Sequence, residues 1–310
     1  KLFKYEAALI SHEEFHTVVE ESWPNNQTSL MTKLDTLAHK ASNWNRDVFS
    51  NIFRRKRWLL GRIEGIQRTQ TTLYSHNLHV LELDLIAQYN NVLFQEELLW
   101  FQKSRSKWIT HGDRNTKFFH LTTIIKRRRK KIDVLKGANS GWIDNPDELK
   151  RYVLNYFTTL FAHNPSISLS HWNNLASHVV NVEENCELMK VVTNDEIWQA
   201  VKNIKAFKAP RRDGFQAIFY HTYWNVIRPS VCDFIKNCFA THSIPSTINR
   251  TLVALIPKLE NHKNIKQFRP ISLCNVTYKI IAKILVSKIR PLLCKLVRPN
   301  QSSFMPGRST

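Results

Sequence analysis

Apolar residues recur every three or four positions through most of the first hundred residues, which is the spacing of an amphipathic helix. The first of two such stripes follows the break at Pro24 and consists of Leu30, Leu34, Leu37, Ala41, Trp44, Val48, Ile52, Leu59, Ile63 and Ile66. The second begins near Asn77 and consists of Leu78, Leu81, Leu85, Tyr89, Val92 and Leu93. A short polar turn near Ser75 and His76 separates the stripes. The pattern therefore predicts a long antiparallel helical hairpin.

The pattern becomes mixed after the hairpin. Residues 132–143 hold two short apolar runs on either side of the segment G-A-N-S-G, which predicts a β-hairpin. Three further helices are predicted from capping residues and apolar stripes: from the cap at Asn145 to about Phe161, after the capping box of Thr193 and Glu196, and over 224–239.

The last sixty residues, 251–310, predict a compact unit of their own. The run T-L-V-A-L-I-P-K is apolar and β-branched and stops at Pro257, and a second short strand begins at Phe268. An apolar helix follows from Tyr278 to Val297. A strand, a turn, a strand and a packed helix form a small α+β unit. The whole chain therefore predicts a mainly α fold with α+β parts.

The net charge of +20 is confined to two regions of the 310-residue chain. Residues 101–131 contain eleven Lys and Arg against Asp113 alone, and residues 251–310 contain eleven against Glu260. The other 219 residues hold 23 basic and 23 acidic groups and are neutral. Two concentrated basic regions predict two salt-dependent contacts with phosphate backbones. A membrane surface is disfavoured because neither region forms an amphipathic helix with an aromatic face.

Cysteine usage and hydropathy exclude several other classes of protein. The five cysteines are odd in number and show no C-x-x-C spacing, which indicates buried thiols in a reducing compartment and disfavours a zinc site. The sequence has no signal-like apolar start and no apolar run near the ~20 residues of a membrane span. We therefore expect a location in the nucleus and cytoplasm and no membrane partner.

Two separate phrases carry a family resemblance. The first is I-P-K, then F-R-P-I-S-L-C-N-V-T-Y-K-I-I-A-K-I-L, then P-N-Q-S-S-F-M-P-G-R, all after residue 255. The second is S-K-W-I-T-H-G-D-R-N-T-K-F-F-H, over 106–120. Together they resemble the fingers and preceding region of the reverse transcriptase of non-LTR (LINE-type) retrotransposons, most closely those of plants.

The resemblance implies RNA-directed DNA polymerisation, with an RNA template and a target DNA as partners. In that family two Mg²⁺ ions held by carboxylates of the palm stabilise the attacking and leaving oxygens. Beyond Asp233 this chain has only Glu260, and one carboxylate cannot hold a metal pair. We therefore expect a fragment that reaches the fingers and lacks the palm, binds no metal, has no catalytic residue and is inactive alone.

Candidate contact residues follow from the charge and from the resemblance. The resemblance implies that Lys258, Arg269, Gln301 and Arg308 contact the nucleotide or the template. The basic run Lys126, Arg127, Arg128, Arg129, Lys130 and Lys131 is predicted to contact RNA phosphates, because six consecutive cations repel one another unless a polyanion or solvent screens them. A nuclear-import signal has the same composition, so both interpretations of the run stay open.

Composition and breaks suggest four segments. They are a connector over 1–27, the hairpin with the basic β-hairpin region over 28–163, a helical extension over 164–250, and the start of the fingers over 251–310. The loop K-A-P-R-R-D-G-F departs from the family pattern K-x-P-G-P-D-G at Arg211 and Arg212, which predicts an altered loop. Two alternatives to a polymerase fragment stay open: a decayed or domesticated stand-alone RNA-binding module, and a purely structural helical protein.

Overall fold

The computed structural model describes residues 3–24, 28–46, 51–71, 74–104, 116–137, 141–162, 180–209 and 211–297. The α-helices within these ranges are α1 (Glu14–Glu21), α2 (Leu30–Trp44), α3 (Ile52–Gln70), α4 (His76–Ser104), α5 (Thr116–Lys130), α6 (Pro146–Phe161), α7 (Val182–Met189), α8 (Asn194–Lys202), α9 (Ala217–Thr222), α10 (Trp224–Ala240), α11 (Ser246–Asn249) and α12 (Val276–Leu296). The strands are β1 (Leu135–Lys136), β2 (Trp142–Ile143), β3 (Leu252–Pro257) and β4 (Phe268–Leu273). The prediction of a mainly helical fold with small β parts is confirmed.

The antiparallel hairpin is formed by α3 and α4. Lys56 Nζ lies 2.7 Å from Glu96 Oε2, and Gln67 Nε2 donates to Glu82 Oε1 at 2.8 Å. The start of α3 therefore lies beside the end of α4, and the two helices run in opposite directions. Buried leucine, isoleucine and valine side chains from both helices close the seam between them. The turn predicted before His76 is confirmed, since α4 begins at that residue.

The prediction of one continuous first helix was wrong. Asn51 has an extended backbone (φ −83°, ψ 108°), and its side chain accepts hydrogen bonds from the amides of Phe53 and Arg54. This is an N-cap that starts α3 as a new helix. The apolar period runs through the break from Trp44 to Ile52, which is why the stripe by itself does not reveal it.

The segment predicted as a connector contributes several side chains to the core. Tyr5, Ala8, Phe15 and Val19 are buried, and the 3-10 turn Ala7–Ser11 packs against α4. The ring of Phe15 lies among the rings of Tyr5, Trp44 and Tyr223. This core also contains side chains of α2, α3, α4, α8, α9, α10 and α12, so it draws on all four predicted segments.

Buried amides tie the N-terminal segment to α4 and to the turn 211–216. Gln102 of α4 donates through Nε2 to the carbonyl of Tyr5 (2.7 Å) and to Oε1 of Gln216 (2.6 Å), and its Oε1 accepts from the amide of Ala7 (2.9 Å). Gln216 in turn donates to the carbonyl of Lys208 at 2.6 Å. Because all these groups have partners, the polar atoms are buried at little cost.

The turn 211–216 closes against the N-terminal segment at a glycine. Gly214 has φ +80°, and its carbonyl accepts from the amide of Tyr5 at 3.0 Å. The amide of Gly214 donates to the carbonyl of Arg211, and Asp213 Oδ1 accepts from the amide of Phe215. Asp213 and Gly214 therefore form a turn. Arg211 needs no left-handed backbone, because among the described non-glycine residues only His242 has a positive φ.

A second, smaller core joins the two β-hairpins. It contains Leu135 of β1, Leu149 of α6, Ile265 and Phe268. The amide of Lys136 donates to the carbonyl of Lys263 at 2.8 Å, which links the hairpins through their backbones. Both predicted hairpins are confirmed as antiparallel pairs; β3 and β4 pair from Leu252 with Leu273 to Pro257 with Phe268. None of the helices in the ranges given above has the length and apolar content needed to cross a membrane.

Gly214→Ala should destabilise the protein strongly. A Cβ at this position would lie 2.4 Å from the carbonyl oxygen of Phe3, and alanine is strained at φ +80°. We expect a loss of about 2 kcal/mol or more in the free energy of unfolding, measured by urea denaturation.

Gly61→Ala is the matched control, because Gly61 lies inside α3 with no atom within 4 Å of the added Cβ. It should stabilise the protein by about 0.5–1 kcal/mol. Equal effects of the two substitutions would contradict the close contact between the turn and the N-terminal segment.

Asp213→Asn should change how stability depends on pH. Burial raises the pKa of Asp213 to about 6, against the opposing effects of the Phe215 amide and Arg211. The folded protein therefore holds this proton more tightly than the unfolded chain, and the associated stability, present below about pH 4, is lost as the pH rises to 6. The wild type should lose on the order of 3 kcal/mol relative to the Asn variant between pH 4 and pH 7.

Urea unfolding of both proteins across this pH range measures the difference. The Asn side chain keeps the acceptor for the Phe215 amide, so it removes the charge and preserves the turn. Asp213→Ala removes both and should be less stable than Asp213→Asn at every pH. Parallel pH profiles for wild type and Asp213→Asn would contradict the raised pKa.

Candidate nucleic-acid interface

Helix α5 is anchored by one face to the end of α4. Phe119 and Thr123 are its buried residues, and the ring of Phe119 meets the ring of Phe101 edge-on at 5.5 Å. One turn further on, Lys126 Nζ donates to the carbonyl of Ser104, the last residue of α4, at 2.9 Å. These contacts fix the rotation of α5 about its axis.

That rotation divides the basic run, defined as Lys126–Lys131. Successive helical residues are rotated by about 100°, so Lys126, Arg127, Arg128 and Lys130 fall within one arc of about 200° and Arg129 falls opposite, while Lys131 follows the end of α5. The structure agrees, since those four, together with Lys131, line a cleft with α4 and Arg129 does not. Arg129 instead lies 3.7 Å from Glu260, in the connection between β3 and β4. The basic run is therefore not a single contact surface.

The cleft, called here the α4–α5 cleft, has a volume of about 620 Å³. Its floor is neutral and includes Tyr5, Gln102 and Gln216. Its cations are Lys4, Lys103, Lys126, Arg127, Arg128, Lys130 and Lys131. Among the described lining residues Glu6 is the only carboxylate. Seven cations around one carboxylate produce a positive field that attracts phosphate groups.

The ion pairs that the described residues form with the basic run are exposed and weak. Arg129 with Glu260, and Lys131 with Asp133 at 2.6 Å, are the ion pairs formed by the run in the described part of the chain. All four side chains are exposed, and such pairs contribute between 0 and about 1 kcal/mol. Arg127 and Arg128 are also exposed, so their guanidinium groups are accessible to a large ligand.

The second basic region is split by its contacts. On α12, Lys288 lies 3.7 Å from Glu196 and Lys295 lies 2.7 Å from Glu184, so two of its cations are paired with α8 and α7. Lys279 and Lys283 line a separate cavity beside Arg211. The charge of residues 251–310 is thus divided among several surfaces, which their sequence does not reveal.

The residues predicted to contact nucleotide or template lie partly on the β3–β4 hairpin. Lys258 and Arg269 are both exposed; Lys258 Nζ donates to the carbonyl of Lys266 at 2.9 Å, and Arg269 stands opposite Ile256 in the strand register. Neither lines the α4–α5 cleft. Helix α5 packs against β3, so the hairpin and the basic run are neighbours. Gln301 and Arg308 lie outside the described residues.

No metal cluster is present in the ranges that the structure describes, where no three His, Cys, Asp or Glu side chains converge. His16 contacts Glu20 at 3.1 Å and stacks on Tyr223, and His12 packs against Trp44. The two Mg²⁺ ions of a polymerase therefore do not fit this set of residues.

Several residues of the cleft carry no signal in the sequence. Lys4 is a single cation in ordinary surroundings, Lys103 is not distinguished from the other cations of residues 101–131, and Gln102 and Gln216 are glutamines in a helix and a loop. Only the packing of the N-terminal segment against α4 and the turn 211–216 brings these four residues to the basic run. Gln102 is hydrogen-bonded across the floor to Tyr5 and to Gln216, and each of these partners is more than ninety positions away in the sequence.

Comparison with known proteins gives one informative similarity. No protein-family model matches the chain. A curated relative, the Transposon TX1 uncharacterized 149 kDa protein of Xenopus laevis, is 27% identical over 212 residues. The similarity covers 67% of this chain and 16% of that protein, so the chain spans about a sixth of its relative's length. The chain is thus similar to part of a transposon protein.

Proposed function

We propose that this chain is part of the RNA-directed DNA polymerase of a LINE-type non-LTR retrotransposon, in which it binds RNA. The α4–α5 cleft would hold the phosphate backbone of a single strand. The observation that carries the proposal is the convergence of seven cations on one cleft with one carboxylate. A basic groove that follows the backbone is the usual means of binding single strands without sequence specificity.

Two further observations support the polymerase assignment. The similarity to a transposon protein covers 67% of this chain. The β3–β4 hairpin followed by α12 has the order of elements expected for the start of the fingers. We assign template or nucleotide contacts to Lys258, Arg269, Gln301 and Arg308, and target DNA as the second nucleic-acid partner of the complete enzyme.

This chain would contribute binding and no catalysis. A two-metal polymerase needs several converging carboxylates, and Glu260 is the only carboxylate beyond Asp233. The Mg²⁺ ions of the complete enzyme would therefore bind to residues other than those of this chain. The same observation favours the second candidate function, a stand-alone RNA-binding module that has lost polymerisation.

Replacing Arg127 and Arg128 with Ala should lower the salt dependence of RNA binding. Each phosphate contact on a single strand contributes about 0.7 to the slope of log affinity against log salt concentration, so the slope should fall by about 1.4. Affinity should weaken to a similar extent for RNAs of different sequence, because phosphate contacts carry no sequence information. Fluorescence anisotropy with labelled RNA at several salt concentrations measures both effects.

Arg54→Ala with Arg57→Ala is the matched control. Both arginines are exposed on α3, outside the cleft, and the change in net charge is the same. Arg129→Ala and Arg269→Ala should each alter the slope by less than the cleft variant does. An unchanged slope for the Arg127 and Arg128 variant would refute RNA binding in the cleft and leave nuclear import as the role of the basic run.

The purified chain should bind an RNA template and yet not extend a primer. The reason is that no cluster of carboxylates for two Mg²⁺ ions is found among the described residues and that Glu260 is the only carboxylate beyond Asp233. Primer extension with Mg²⁺ and all four nucleotides should give no product above background, while an unrelated active reverse transcriptase copies the same template as a control. Full-length cDNA made by this chain would overturn the assignment of a binding role.

A further inference from the structure

Arg211 has an unusual environment for an arginine. Its exposed fraction is 3%, and within the described part of the chain none of its three guanidinium nitrogens has a hydrogen-bond partner. A buried charge without partners is costly, and arginine is rarely fully buried unless it is paired. Since the backbone turn at this position is formed by Gly214 and Asp213, the arginine side chain is not needed for the turn.

The cavity beside Arg211 is lined by cations and apolar groups. Its volume is about 390 Å³, and it lies between the end of α8, the following loop and α12. Its cations are Lys205, Lys208, Arg211, Lys279 and Lys283. No carboxylate is found among the described residues that line it. Lys279 and Lys283 are four residues apart on α12, so they face the cavity from one side of the helix.

The nearest acid does not neutralise this cluster. Asp213 attracts Arg211 electrostatically, but within the described residues neither the Arg211 guanidinium nor Asp213 Oδ2 has a hydrogen-bond partner. Burial lowers the pKa of Arg211, and burial together with the charges of Arg211 and Lys208 lowers the pKa of Lys279. The cations therefore repel one another across the cavity, and a bound anion would relieve that repulsion.

We propose that this cavity is a binding site for a phosphate group, with Arg211 as its principal donor and Lys208 and Lys279 as flanking cations. Arginine presents parallel N–H donors that match the oxygens of a phosphate. The guanidinium group would turn toward the cavity to bind the anion, and it would break no hydrogen bond in doing so because it makes none. The proposal concerns a site distinct from the α4–α5 cleft and does not rest on RNA binding there.

The phosphate group has two sources with the same chemistry. It is either inorganic phosphate or a phosphate of a nucleic acid strand. Apolar side chains of Ile204, Ala282 and Val286 also line the cavity. Its volume of about 390 Å³ leaves room for more than the phosphate group itself. The experiment begins with inorganic phosphate, so that its failure is distinguishable from a failure of RNA binding in the cleft.

Thermal unfolding in phosphate and in chloride, at matched ionic strength and pH, tests the site. The wild type should show a saturable rise of its unfolding temperature in phosphate only. Arg211→Met should weaken phosphate binding about tenfold or more, the effect of losing a charge-assisted hydrogen bond. Without phosphate this variant should unfold at the same or a higher temperature than wild type, because it replaces an unpaired buried charge with an apolar side chain of similar length.

Lys202→Met is the matched control, since Lys202 is an exposed lysine of α8 that does not line the cavity. It should keep the full response to phosphate, and Lys279→Met should lose most of it. A wild type that responds equally to phosphate and chloride, or an Arg211→Met variant that keeps the phosphate response, overturns the proposal.

Short single-stranded RNA then distinguishes the two sources. If RNA displaces phosphate from the wild type, and does so with the basic run replaced by alanine, the site takes a phosphate of the nucleic acid. If RNA does not compete, the site takes the free anion. Both results support a phosphate site, and both require the Arg211-dependent response first.

Discussion

The N-terminal segment around Tyr5 is held between α4 and the turn 211–216, and the rest of the molecule depends on that contact. The amide of Tyr5 donates to Gly214, and its carbonyl accepts from Gln102. Buried backbone groups must find partners, so this short segment can occupy the core only where both neighbours supply them. The three partners lie far apart in the sequence, and joining them closes a core to which helices from α2 to α12 contribute.

The same contact positions the candidate interface. Tyr5 and Gln102 are buried and hydrogen-bonded, and the residues next to them in the chain, Lys4 and Lys103, line the cleft. The neutral residues of the cleft floor are thus held in place, and the cations beside them lie at the edge of the cleft. The basic run joins them because Lys126 is bonded to the end of α4. The positive field of the cleft is therefore a consequence of core packing, although none of its cations is part of the core.

Charge that is concentrated in the sequence is redistributed in space. The two basic regions come together where α5 packs against β3, but within each region the cations serve different surfaces. Arg129 lies away from the cleft beside Glu260, Lys288 and Lys295 pair with glutamates of α8 and α7, and Lys279 lies in the cavity of Arg211. Net charge per segment predicts a polyanion partner and does not predict which surface it contacts.

The sequence by itself determined the local elements. The caps at Asn145 and Thr193, the strand that stops at Pro257 and the hairpin turn before His76 all lie where their patterns predict, because caps and periodicity act within one or two helical turns. The break at Asn51 carried a local signal too, hidden by an apolar stripe that continues through it.

Only the tertiary structure decided that side chains near the N-terminus belong to the core, which cations share the cleft, and that Arg211 is buried without a partner among the described residues. These features depend on contacts between residues far apart in the sequence: Tyr5 is bonded to Gln102, 97 positions away, and to Gly214 at more than twice that separation. Such contacts are set by the packing of whole elements, and the identity of neighbouring residues along the chain does not encode them.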